Sequence, residues 1–297
     1  EGDLQGDGSE LEDWTPIGDY YDKSFKGTFD GNGKKVLGVY IDNSNDDAYL
    51  GLFGCLGEDG VIENVGVVDS YVKGMGERAF VGGVCGSSGS ISSSYNAGSV
   101  TGGSNAWIGG VCGSNSRLIS NSYNTGSVTG GSKARIGGVC GHSSGSISNS
   151  YNTGSVTGTG TEALVGGVCG KNENYGTITD CFYLAGTVEP DKGIGNEDND
   201  TGKATSADPA EFVIAVDKGL VLDPNTPWIG EATANDKDIT FPTLAQVPQF
   251  EGGVYLISLA EELRWFAGKV NIGNAKLNGK LMQDIAVSGY TLDNGTP

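Results

Sequence analysis

The sequence predicts an all-β fold, a parallel β-helix (solenoid) of about six turns with short helical appendages toward the C-terminus. Three observations predict it: an internal repeat of about 28 residues, short β-like runs punctuated by Gly, Ser and Asn, and 52 glycines against only 8 prolines. Glycine excess without proline excess fits neither collagen nor a proline-rich linker, and fits many tight turns between short strands.

The repeat comes first. The pentapeptide Gly-Gly-Val-Cys-Gly starts at Gly82, Gly109, Gly137 and Gly166, at intervals of 27, 28 and 29 residues. Each copy leads to an isoleucine run centred on Ile91, Ile119, Ile147 and Ile178. Tyr95-Asn96, Tyr123-Asn124 and Tyr151-Asn152 follow, weakening to Phe182-Tyr183, and valine runs at Val100, Val128, Val156 and Val188 close the units. A looser copy runs from Gly51-Leu52-Phe53-Gly54 through Ile62-Glu63-Asn64. Each unit thus reads as three short strands. One unit cannot bury its own apolar face, but stacked units lay isoleucine on isoleucine about 4.8 Å apart. A propeller blade needs about 40 residues, and leucine-rich spacing is absent.

Around this body the chain divides into four parts. Residues 1–24 read as a lead-in or cap remnant. Residues 25–189 are the β-helix, beginning with a first turn over Phe25 to Ile41 whose Asn32-Gly33 pair signals a tight turn. Residues 190–250 hold an acidic loop, a short helix with Asp208 as N-cap that stops near Gly219, and an extended return. Residues 251–297 read as the truncated start of a following module, with a second helix over Leu259 to Ala267 ended by Gly268. The first residue, Glu1, is not methionine, so the chain reads as a mature or excised piece.

Charge limits the partners. The net charge of −19, from 37 acidic and 18 basic side chains, repels phosphate backbones and anionic lipid heads, which argues against nucleic acid. No apolar run approaches the roughly 18 residues that span a bilayer, so membrane insertion is not expected.

The chemistry-bearing residues are few. His142, the one histidine, occupies a position held by Ser87, Ser114 and Lys171 in sister turns, which is a poor setting for a general base. Between Phe80 and Thr161 there is no Asp or Glu, so the regular turns offer no carboxylate pair for glycoside hydrolysis. Asp42, Asp46 and Asp47 read as a solvated loop. The stretch from Asn196 to Gly202 has oxygen ligands for calcium but no closing glutamate, and reads as an exposed loop. Cys85, Cys112, Cys140 and Cys169 recur once per turn; a line of ligands does not converge on a metal, and a column of small apolar side chains is expected, with Cys55 and Cys181 doing the same in their turns. Trp107, Tyr71 and Tyr49 could stack on sugars, but scattered aromatics name no site. No catalytic, cofactor-binding or metal residue is assigned, and no cofactor is expected.

The repeat with its flanks resembles the GLUG-motif proteins, named for the Gly-Leu-x-Gly that stands here as Gly51-Leu52-Phe53-Gly54, with the Gly-Val-Cys-Gly copies as valine variants. Trp14-Thr15-Pro16-Ile17-Gly18 and Gly27-Thr28-Phe29-Asp30-Gly31 match what usually precedes the motif. The resemblance implies a bacterial, extracellular or cell-surface, adhesin-like protein; some relatives carry the motif beside a peptidase domain that cleaves immunoglobulin A. The motif itself has no catalytic residues. The expected function is a non-catalytic repeat module, an adhesive or spacer rod rather than an enzyme. Expected partners are host or bacterial glycans or surface proteins, and neighbouring modules head-to-tail. The rival is a β-helical carbohydrate-active enzyme, a polysaccharide lyase or glycosidase.

Overall fold

The computed structural model describes residues 13–173, 175–197 and 203–207, with short strand segments between 228 and 281. Its body is a parallel β-solenoid of about six turns in which five columns of short strands stack in register. The first column holds Tyr40–Asn43, Tyr71–Gly74, Ser99–Gly102, Val128–Gly130 and Val156–Gly158. The second holds Tyr49–Leu50, Phe80–Gly82, Trp107–Gly109, Arg135–Gly137 and Leu164–Gly166. Third and fourth columns follow the cysteines and the isoleucines, which share one strand in Cys85–Ser92 and Cys112–Ser120 and separate in the next two turns. The fifth is Tyr95–Asn96, Tyr123–Asn124, Tyr151–Asn152 and Cys181–Leu184.

Three strands per turn were expected and five columns are found. The second column was hidden because its runs are three residues long and abut the glycines of the pentapeptide. Its interior is nonetheless regular: Leu50, Val81, Ile108, Ile136 and Val165 are buried, each one residue before a glycine.

Every column builds a core ladder. Ile62, Ile91, Ile119, Ile147 and Ile178 pair in sequence, with Phe29 above Ile62. Ile41, Val72, Val100, Val128, Val156 and Val188 do likewise. Like apolar residues on successive rungs pack against one another, giving a continuous core that a 28-residue unit alone cannot build.

The pentapeptide's two leading glycines have separate tasks. A Cβ on Gly109 would lie 2.1 Å from the Cys112 carbonyl oxygen and 2.8 Å from Cys140 Cα, so the second and third columns could not close on each other. On Gly110 it would lie 2.2 Å from Cγ of Asn124, so this glycine vacates the space a buried asparagine fills.

The cysteine column is capped by larger residues: Phe53 pairs with Cys85 at its start and Ile194 bridges Cys169 at its end. All six cysteines are free and buried. Cys55 and Cys181 are buried at strand positions of their own turns, as expected, beside the column rather than in it. Cys55 pairs with Ser87, outside the column, and Cys181 follows Asp180 at the place where earlier turns have Ser94, Ser122 and Ser150.

The Asn32-Gly33 pair does not reverse the chain. Both residues have positive φ, +50° and +68°, but they sit inside one strand, Thr28–Leu37, as an irregularity in its pairing with Val61–Val68. The chain continues forward because the strand is already committed to pairing with the next rung, Val61–Val68. Beyond 189, Ala204–Ala207 still pairs with Cys181–Leu184. The short helical appendages expected toward the C-terminus are not borne out. Their residues lie outside those described, and among the described residues the helical content is a 3₁₀ turn at Tyr21–Lys23.

Candidate functional site

The residues that repeat are consumed by packing. Asn96 Nδ2 donates to Asn124 Oδ1 at 2.8 Å, and Asn124 Nδ2 donates to Asn152 Oδ1 at 2.8 Å. The same amides also donate to the carbonyls of Gly98, Gly126 and Gly154. Ser94, Ser122 and Ser150 form a second interior ladder, each hydroxyl accepting the N–H of the residue one rung before it. Tyr95, Tyr123 and Tyr151 stack at 4.6 and 5.0 Å. Buried polar groups at full hydrogen bonding stabilise register rather than offer chemistry.

What varies from turn to turn gathers on one strip. The outward position of the second column is Tyr49, Phe80, Trp107, Arg135 and Leu164. Two residues before each lies a left-handed corner, at Asp47, Arg78, Asn105, Lys133 and Glu162, with φ between +53° and +59°. The left-handed turn aims the following alanine, Ala79, Ala106 or Ala134, into the core and leaves the corner side chain outside.

The rings on this strip touch. Tyr49 stacks on Phe80 with centroids 4.6 Å apart, and Phe80 meets Trp107 edge-on at 4.7 Å. The Arg135 guanidinium lies 4.7 Å from the Trp107 centroid, and the His142 ring stacks on Trp107 at 4.4 Å. Phe80, Trp107, Arg78, Lys133, Arg135, Asn105, Asp47 and Glu77 line an open cleft of about 520 Å³.

Electrostatics within the strip are uneven. Arg78 grips Asp47 through Nε and Nη2, both at 2.9 Å, and Lys133 is 3.9 Å from Glu162. Arg135 makes no ion pair among the described residues; it lies over the Trp107 ring, where burial lowers its pKa and the Glu173 carboxylate acts against that shift. His142 Nε2 lies 3.0 Å from Glu173 Oε1, which also takes the Lys171 ammonium at 2.7 Å. Burial lowers the His142 pKa, and the Glu173 contact opposes that shift in part. Lys171 first, then His142, hold the Glu173 carboxyl at about 2.

His142 is therefore not the loose turn residue its position suggested: it is buried and sandwiched between Trp107 and Glu173. Trp107 and Tyr49 belong to one strip, while Tyr71 stacks on Tyr40 in the first column, at 5.7 Å. Asp42 pairs with Lys73, Asp47 with Arg78, and Asp46 accepts the Glu77 N–H. Asn196 and Glu197 are spent on Asn172 and Lys203; residues 198–202 of the calcium candidate lie outside the described residues. Among the described residues no group of three or more His, Cys, Asp or Glu side chains is placed to hold a metal. Asp30 and Glu63 oppose each other on adjacent rungs, and burial and then Asp30 raise the Glu63 pKa. This carboxylate pair stands apart from the cleft on the strip, and Asp30 is occupied by Asn64 and the Asn32 N–H.

An in-register parallel β-solenoid with interior asparagine and serine ladders and a variable outer strip is the class of protein these features define. A family model described as the GLUG motif matches residues 134–157, within one turn of the stack, so the chain carries a GLUG motif there. A "Putative Gly-rich membrane protein" of Evansella cellulosilytica is 40% identical over 73 residues, 25% of this chain. The match spans 8% of that relative's length. A crystal structure of a "putative immunoglobulin A1 protease" from Bacteroides ovatus superposes with a TM-score of 0.58 at 19% identity, over 81% of this chain and 83% of the other, a likeness of fold. Among the described residues no helix is long and apolar enough to cross a membrane.

Proposed function

We propose that the chain is a non-catalytic module of a bacterial surface protein, a rigid rod that spaces and presents an adhesive strip. The observation that carries this reading is the division of labour within the repeat. Positions repeated from turn to turn go to core ladders and interior hydrogen bonds, so repetition adds length rather than copies of a catalytic centre. The regular turns from Phe80 to Thr161 contain no carboxylate, which disfavours the lyase or glycosidase alternative. Neighbouring modules stacked head-to-tail would extend the same rod. Incubating the chain with acidic and neutral polysaccharides, followed by product analysis, is the test. No cleavage is expected, together with retention on a glycan or host-protein array; measurable turnover would defeat the proposal.

A further inference from the structure

We propose that the cleft across the second, third and fourth rungs of the strip is a binding site for an anionic saccharide, with Phe80 and Trp107 as its apolar wall and Arg135 as the carboxylate or sulfate receptor. This rests on reading the module as adhesive, and it names the ligand.

The first argument is the repeat itself. Sister turns are nearly identical at Gly-Gly-Val-Cys-Gly, Tyr-Asn and Gly-Ser-Val-Thr, so packing selects one residue there. At the outward second-column position and the corner before it, packing selects nothing, because Tyr49, Phe80, Trp107, Arg135 and Leu164 all fit the same place. Large aromatic and cationic side chains nevertheless gather there, in neighbouring rungs and in contact. In stacked repeats, variable outer positions on a constant frame form the recognition face.

The second argument is charge. A chain with 37 acidic and 18 basic residues places three of its cations, Arg78, Lys133 and Arg135, around one cleft with two carboxylates, Asp47 and Glu77. Asp47 is already bound by Arg78. Arg135, half-buried against Trp107 and without an ion pair among the described residues, has planar donors for a carboxylate or sulfate.

The third argument chooses the ligand class. Peptides commonly bind a sheet by adding a strand to its edge, but Phe80–Gly82, Trp107–Gly109 and Arg135–Gly137 are each paired on both sides. No backbone edge is offered within the cleft. With Tyr49 stacked on Phe80 and with His142 and Arg135 over Trp107, the rings offer the cleft their remaining apolar surface, and this, the Asn105 amide and the guanidinium suit the C–H groups, hydroxyls and acid group of a sugar.

Calorimetry of the whole chain with trigalacturonate and sialyllactose, against neutral cellotriose and lactose, tests this. An anionic sugar is expected to bind more tightly than its neutral counterpart and to weaken as salt is raised. Arg135→Leu and Trp107→Leu should each weaken that binding by about tenfold or more. Both variants should keep the native thermal midpoint to within a few degrees, since Leu164 already occupies the same position one rung beyond Arg135 and two beyond Trp107. Failure of both anionic sugars to bind, equal binding of the neutral sugars, or indifference of binding to both substitutions would overturn the proposal. Equally tight binding of oligoglutamate at the same residues would overturn the saccharide assignment. Cleavage of a sugar bound there would support the site and contradict only the non-catalytic reading above.

Discussion

Asn96 Nδ2 donates to Asn124 Oδ1 at 2.8 Å in a site where both side chains are essentially sealed from solvent. Asn124 passes the pattern on to Asn152, and each amide also satisfies a glycine carbonyl two residues along. The ladder ties consecutive turns together with buried bonds that tolerate no slip in register.

Replacing Asn124 with alanine removes bonds on both sides and leaves the Gly126 carbonyl and Asn152 without their partner. Each orphaned group costs about 1–3 kcal/mol, so a loss of about 2–5 kcal/mol is expected in chemical denaturation. Thr125→Ala, at the exposed neighbour, should stay within about 0.5 kcal/mol of the native chain. Similar losses for both would show that the asparagine column does not hold the turns.

The thiols give a second prediction. Rungs about 4.8 Å apart hold neighbouring cysteines side by side, whereas a disulfide wants Cβ atoms about 3.5–4.5 Å apart and turned together. Burial pushes Cys181 up to about 12 and raises Cys85 and Cys140 well above the usual thiol range. A thiol reagent at pH 8 should label the native chain slowly and find all six cysteines once the chain is unfolded without reductant. Rapid native labelling, or fewer than six thiols after unfolding, would count against the column.

How much of this was legible in the residues depends on the ladder. The isoleucine and cysteine columns were readable because packing demands the same residue every turn, and their partners pair as the spacing implies. The second column was not read, since a three-residue strand has no periodicity to detect and its outward residue changes at every rung. Extending the frame two residues before Gly82, Gly109, Gly137 and Gly166 would have aligned Phe80, Trp107, Arg135 and Leu164 and exposed the strip. Asn32-Gly33 misled for a different reason: the local turn preference is satisfied, but pairing with Val61–Val68 absorbs it as a bulge. The burial of His142 was not legible because its sister residues are two serines and a lysine, and it comes from Trp107 and Glu173 on other turns.

His142 supplies a clean titration, being the chain's one histidine. Burial lowers its pKa below the ordinary 6.5. The unfolded chain therefore takes up the proton at higher pH than the folded one, and stability should fall as pH drops through 6.5 toward the folded value. Glu173, held at about 2 against an ordinary 4.5, adds stability above 4.5 that is lost as pH falls toward 2. Imidazole resonances followed by NMR should titrate below 6.5, and lower still in Glu173→Gln, which removes the opposing contact. An unchanged or raised value in that variant would show that the Glu173 contact does not form.

In-register parallel stacking underlies every column, the strip and the cleft, and one distance tests it directly. Thr101 pairs with Thr129 and Thr129 with Thr157, so the outer two stand two rungs apart. Nitroxide labels on Thr101→Cys and Thr157→Cys, with the buried native thiols left unlabelled, should lie about 10 Å apart and broaden each other's spectra strongly. Spectra equal to the sum of the two singly labelled chains, meaning a separation beyond about twice that distance, would contradict the stacked solenoid.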